Sequence, residues 1–180
     1  MARAEYGCQI PVRIEVLTEA NARLTRNFYC GNPAIDDYFR QDALDDSSAV
    51  TYLVVDDESD QLLAALSISC SAIFLSKKAQ LSTLLSAMEV VYFAVDVTYQ
   101  GLRYRPGDNA SLSYYLFNYL IEMMRKISRE HVGAAKIVLY SVPEAENFYK
   151  KIGFKRFVGS MYGDLGTFVR GCVPMYFDLN

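Results

Sequence analysis

The chain has 180 residues, 52% of them hydrophobic, enough to bury the core of one domain. A net charge of −3 and a pI of about 5.2 argue against a surface given over to phosphate contacts. No apolar run reaches the length of a membrane span. "MARAEYGCQIPVRIEV" lacks the apolar stretch of a secretory signal, so one cytoplasmic domain over 1–180, with no membrane partner, is expected. The four cysteines, Cys8, Cys30, Cys70 and Cys172, are scattered singly, as reduced and mostly buried thiols are. With His131 the only histidine, a His-rich metal centre is excluded; a Cys–His nucleophile pair stays open, without a local motif behind it.

"VRIEVL", residues 12–17, alternates and predicts a first strand. "GNPAIDDYFRQDALDD" predicts a helix with Asn32 as N-cap, Pro33 in first position and Asp36 and Asp37 in the first turns. Ile35, Tyr38, Phe39 and Ala43 form its inner face. "AVTYLVVD" and "QLLAALSISCSAIFL", either side of "DESD", predict a hairpin of two central strands. "KKAQLSTLLSA", 77–87, reads as a short helix or a loop. "MEVVYFAVD", 88–96, is a continuous apolar run of the kind a strand covered on both faces shows.

After a polar loop, "SLSYYLFNYLIEMMRKISRE" carries apolar residues at 112, 115, 116, 119, 120, 123 and 127, a helical stripe. "AAKIVLYSV" is the next buried strand, and strand, helix and strand in this order make a right-handed crossover between parallel strands. "SVPEAENFYKKIG" predicts a helix with a Ser141–Glu144 capping box, Pro143 in the first turn and Gly153 after the last. "FKRFVGS" and "CVPMYFDL" close the chain as strands. These elements describe an α/β fold with a mixed sheet.

The strand at 88–96, the loop after it, the helix at 110–129 and the strand at 135–142 resemble the GNAT superfamily of acyl-CoA N-acyltransferases. Phe148-Tyr149 and "IGFKRF" extend that likeness. "FYCGNPAIDDYFRQDA" is similar to the start of the branch containing tRNA-acetylating GNAT toxins, where a phenylalanine, cysteine, glycine and helix pattern precedes the hairpin. The resemblance covers roughly residues 12–179. It implies a GNAT-like mixed, mostly antiparallel sheet with splayed central parallel strands, flanked by helices. It also implies acetyl-CoA as cosubstrate, no metal, and a primary amine that attacks directly in a ternary complex.

In that family the strand matching 89–96 is bulged and splays from the strand matching 135–140. The pantetheine amides then pair with the free strand edge. The resemblance thus assigns cofactor contacts to the backbone of Phe93, Ala94 and Val95, with an N–H near Val95 facing the thioester oxygen. The family's pyrophosphate loop reads Q/R-x-x-G-x-G/A. "RPGDNAS" has Arg105 and Ala110 at that separation, with Asp108 in the central glycine position and Gly107 one place early. "YQG", 99–101, matches the lead-in, and "LRYRP" follows it as an insertion. The implied cradle is Arg105, Gly107, Asp108, Asn109, Ala110 and Ser111 at a helix start; a plain surface loop is the competing reading.

Tyr149 matches the phenol that protonates the departing thiolate, and Asn147 a group that bonds the pantetheine arm. Simple ring packing is the alternative for Tyr149. Glu89 matches the carboxylate that takes the amine's proton, or is a solvated strand end. His131 and Cys172 read as structural. The acceptor is a small-molecule or protein amine or, for a toxin, an aminoacyl-tRNA whose phosphates would meet Lys150, Lys151, Lys155 and Arg156. Asp108 and the insertion prompt another alternative, a degenerate GNAT fold serving as a non-catalytic binding module. Met175, Tyr176 and Phe177 form either a core strand or a homodimer contact.

Overall fold

In the computed structural model, which describes residues 11–76, 82–103, 109–162 and 171–179, strands and helices interleave along the chain. They run β1 (Val12–Val16), α1 (Pro33–Asp37), β2 (Val50–Asp56), β3 (Leu62–Ser76), β4 (Ser82–Val95) and α2 (Leu112–Ile127). After these come β5 (Lys136–Ser141), α3 (Glu146–Ile152), β6 (Lys155–Arg156), β7 (Met161–Tyr162) and β8 (Val173–Asp178). The sheet order is β1-β2-β3-β4-β5-β8-β6, with β7 paired to β3. β4 and β5 are parallel, whereas β1–β2, β2–β3, β3–β7, β5–β8 and β6–β8 are antiparallel. No helix among the described residues is long and apolar enough to cross a membrane.

The chain divides into two compact units, Met1–Ile68 with Tyr92–Tyr119, and Ser69–Val91 with Leu120–Asn180. In the first, β1 and β2 pair from Val12↔Asp56 to Val16↔Tyr52, and β2 continues onto β3 from Val50↔Ile68. Leu53, Val55 and Ala65 join Phe28, Phe39, Ala43 and Ala94 in one apolar cluster. Phe28 and Phe39 meet edge to face at 5.5 Å. α1 starts as its sequence requires: the Asn32 side chain accepts the Ala34 N–H at 3.1 Å, and Pro33 follows. The helix then widens over Tyr38–Asp42, where the Ala43 N–H reaches the Tyr38 carbonyl.

In the second unit β5 pairs with β8 from Lys136↔Asp178 to Ser141↔Val173. Ile137, Val138, Leu139 and Met175 are all buried there. Gly153 ends α3 at φ +113°, and a Cβ on it would lie 3.2 Å from the Phe177 ring, so conformation and space both call for glycine. Met175 is buried, Tyr176 lies 6.1 Å from Phe157 between ring centroids, and Phe177 stacks on Phe154 at 5.2 Å.

Four expectations are revised. Residues 82–87 are strand rather than helix or loop: Leu85 and Ala87 turn toward Ile73 while Leu84 and Ser86 face outward, a period of two. Residues 77–81 of that stretch lie outside the described residues. The Ser141–Glu144 capping box does not form, because Ser141 Oγ donates to the Val142 carbonyl and Pro143–Ala145 make a 3-10 turn before α3. The thiols are less buried than expected, Cys70 being exposed and Cys30 and Cys172 half-buried. β7, unforeseen, is two residues whose pairing with Phe74 and Leu75 is non-local.

Candidate active site

The parallel ladder between β4 and β5 runs from Ala87↔Lys136 through Met88↔Ile137 and Glu89↔Val138 to Val90↔Leu139. Among the described residues it stops there, although β4 continues to Val95 and β5 to Ser141. In the second unit Glu89 meets Ser71, and Ala87 clusters with Ile73. In the first, Tyr92 and Ala94 belong with Ala65. The β3 partners are all odd-numbered, while the β4 partners change from odd to even between Glu89 and Tyr92.

At the end of β4 the backbone directions can be read from three bonds. The Asp96 N–H donates to the Leu63 carbonyl on β3 at 2.9 Å, whereas the Val95 carbonyl accepts from Gln100 Nε2 at 2.7 Å. Consecutive residues of a strand send their polar groups to opposite sides. Asp96 and Ala94 therefore address β3, and Val95 and Phe93 address the other side. Of the three residues expected to bond a cofactor arm, Ala94 has its backbone groups on the β3 side. The Phe93 ring packs on Phe117, their centroids 4.6 Å apart.

Tyr149 lies in α3 against Phe148 at 5.2 Å and Phe154 at 5.7 Å. Burial pushes its phenol up to about 12, so the hydroxyl is protonated throughout the neutral range and serves as a donor, not a base. Asn147 is exposed two residues earlier, a spacing that places the two side chains on different helix faces. Glu89 is 4% exposed, not a solvated strand end, and its Oε2 accepts from the Ser71 hydroxyl at 3.0 Å. Ser71 was not legible as a site residue because it lies 18 positions away on another strand.

The expected basic patch is largely neutralised. Lys150 contacts Glu146 at 2.6 Å, Arg156 also pairs with Glu146, and Lys155 shares Asp178 with Lys136. Hydrogen bonds from Arg156 and then Lys150 hold the Glu146 carboxyl down at about 2. Lys151 is exposed and has no ion pair among the described residues. The Glu146–Lys150 spacing of four was readable in sequence, but the Arg156 partnership was not.

Arg105, Gly107 and Asp108 lie outside the described residues. Asn109 is exposed, Ala110 is half-buried, and Ser111 bridges to Arg103. Ser111 Oγ accepts the Tyr114 N–H at 3.3 Å, capping the start of α2, while the Leu112 N–H is taken by the Leu102 carbonyl at 2.7 Å. Among the described residues no group of three or more His, Cys, Asp or Glu side chains is arranged to hold a metal ion.

A mixed, mostly antiparallel sheet whose one parallel pair parts at Val90↔Leu139 is the GNAT fold. Solved structures of known proteins share it. A bacterial toxin is 18% identical, over 94% of this chain and 92% of its own, with a TM-score of 0.70. The AtaT structure complexed with acetyl-methionyl-tRNAfMet is 20% identical over 93% and 95%, with a TM-score of 0.68. A tyrosine-to-phenylalanine mutant of the AtaT toxin, bound to the C-terminus of the antitoxin AtaR and acetyl-CoA, is 18% identical over 93% of each chain, TM-score 0.65. At these identities the likeness is one of fold. No family model and no curated protein matches the chain.

Proposed function

We propose that the chain is an N-acetyltransferase that carries an acetyl group from acetyl-CoA to a primary amine, with the α-amino group of an aminoacyl-tRNA as acceptor. The observation that carries this reading is the early end of the β4–β5 ladder, at Val90↔Leu139, in strands that both run on. A strand that runs on past its ladder can offer main-chain groups to the pantetheine amides, and Val95 faces outward from β3 at that end. The neighbouring folds support the substrates: AtaT structures are complexed with acetyl-methionyl-tRNAfMet and bound to acetyl-CoA. In this reading residues 1–180 work as one acyltransferase domain.

The neutral amine attacks the thioester carbonyl carbon, the C–N bond forms and the C–S bond breaks. The departing thiolate takes the Tyr149 hydroxyl proton. The proton lost by the amine passes to the Glu89 carboxylate, directly or through water, and the Val95 N–H bonds the developing oxyanion. Asn109, Ala110 and Ser111 come just before α2, where the helix dipole favours a pyrophosphate, and the resemblance adds Arg105, Gly107 and Asp108 to that cradle. Asn147, also on α3, is the residue the resemblance assigns to the pantetheine arm.

Titration with acetyl-CoA by calorimetry, followed by an acetylation assay on methionyl-tRNA, tests the reading. Binding and N-acetyl product are expected. Absence of heat and of thermal stabilisation at millimolar acetyl-CoA would instead favour a non-catalytic binding module, as Asp108 and "LRYRP" prompt. Binding without tRNA acetylation would move the acceptor to another amine.

A further inference from the structure

Beyond Val95 the chain makes a tight turn. The Tyr99 and Gln100 N–H groups donate to the Asp96 carbonyl at 2.9 and 3.2 Å, and Gly101, at φ +72°, lets the chain leave. This turn carries the Gln100 side chain back over the end of β4. Its Nε2 donates to the Val95 carbonyl at 2.7 Å and to the Cys30 carbonyl at 2.8 Å. Both acceptors are carbonyl oxygens, so only the NH2 end of the amide can face them, and each of its hydrogens has a partner.

Neighbouring bonds secure the same junction. The Val97 N–H donates to the Tyr29 carbonyl at 2.8 Å, and the Tyr29 N–H to Asp96 Oδ2 at 3.1 Å. The Cys30 N–H donates to Asp36 Oδ1 at 2.6 Å, and Asp36 is 2% exposed. The peptide linking Val95 to Asp96 is thereby held at both ends, its carbonyl by Gln100 and its N–H by Leu63. Asp96 accepts the Tyr29 and Thr98 N–H groups through its side chain, whereas of the two side chains Gln100 is the one that touches the Val95 carbonyl.

We infer that Gln100 is a positioning residue: by holding the Val95 carbonyl it sets the direction of the Val95 N–H and ties that direction to the Cys30 loop ahead of α1. This rests on the acetyltransferase reading. The bond takes one lone pair of the Val95 carbonyl, and the contribution of Val95 to an acyl-CoA in this reading is its N–H. Gln100 does not touch substrate in this account. Its effect belongs on turnover, since a preorganised donor acts on charge that develops in the transition state.

Three variants and the wild-type protein test it, with acetyl-CoA affinity by calorimetry, single-turnover rate at saturating acetyl-CoA, and melting temperature. Gln100→Ala is expected to lower the rate about ten- to a hundredfold, with acetyl-CoA affinity near wild type. Gln100→Glu places a carboxyl against two carbonyls. Protonated, it still donates to one of them; ionised, it faces both as an acceptor. The two carbonyls disfavour the charged form and raise its pKa, so its rate relative to wild type should fall as pH rises through that value. Asp96→Ala removes the bonds from the Tyr29 and Thr98 N–H groups but not the Gln100 amide itself, and should lower the melting temperature more than the rate.

A flat Gln100→Glu ratio across pH would overturn the inference, as would rates unchanged in both Gln100 variants. Equal rate losses in Gln100→Ala and Asp96→Ala would overturn it too, by showing a general loosening of the loop. If Gln100→Ala fails to fold, the pH comparison within Gln100→Glu still decides. Failure of the wild-type protein to bind acetyl-CoA removes the acetyltransferase reading and this role together, a result distinct from normal binding with indifferent variants.

Discussion

The two ends of β4 are held by different means. Over Ala87–Val90 a parallel partner supplies main-chain bonds, and the flanking side chains Ile137, Val138 and Leu139 fill a core. Over Tyr92–Val95 the main chain meets β3 on one side, and on the other a single amide, Gln100, holds the last carbonyl. A ladder tolerates many side chains because its bonds are main-chain bonds. Where it ends, individual side chains take over and their identity begins to matter. Changes in the paired region should therefore register as stability, and changes near the open edge or the leaving group as rate.

The largest expected effect is on rate. Tyr149→Phe removes the acid and keeps the ring, so turnover should fall roughly a hundredfold or more while acetyl-CoA affinity holds. Single-turnover kinetics beside calorimetry would check it, and an unchanged rate would take Tyr149 out of the mechanism. Leu139→Ala, at the last rung of the ladder, should cost about 2–5 kcal/mol of stability by denaturant titration. Its turnover, measured where the variant is folded, should remain near wild type; a selective rate loss would break the division between the two ends.

Glu146→Gln probes the ion pairs of α3 through pH. Its carboxyl lies at about 2 when folded, below the unfolded value near ~4.3, so its stabilisation is present above ~4.3 and is lost as pH falls toward 2. The variant should melt lower at neutral pH and show a flatter melting profile between about pH 4.5 and 2. Identical profiles for variant and wild type would show that the Lys150 and Arg156 contacts contribute nothing. Asn32→Ala should have the smallest effect, about 1 kcal/mol from the lost cap on α1, read from the shift in denaturant midpoint.

Much of this architecture was legible because its signals are local. The stripe of α2, the β2–β3 hairpin, the Asn32 cap and the Gly153 stop each depend on residues a few positions apart. The early end of the β4–β5 ladder was legible only through a resemblance, since periodicity alone reads "MEVVYFAVD" as a uniform buried strand. Residues 82–87 were misread because Thr83 and Ser86, with Lys77, Lys78 and Gln80 just before them in sequence, mask an alternation that matters only once Ile73 provides a surface to pack on. The basic cluster near α3 fitted a solvated helix face or, for a toxin, a phosphate surface, yet three of its four charges are spent on Glu146 and on Asp178, the latter more than twenty residues downstream of Lys155.

By itself the sequence determined the element types, their order and the presence of a phenol on the helix after the second parallel strand, because hydrophobic period and turn chemistry act over short stretches. Tertiary structure alone decided where the β4–β5 ladder stops, that Glu89 is buried beside Ser71, and that Gln100 holds the carbonyls of Cys30 and Val95. Those outcomes join residues up to 70 positions apart. A hydrogen bond depends on ångström-scale distance and direction, which no spacing along the chain encodes.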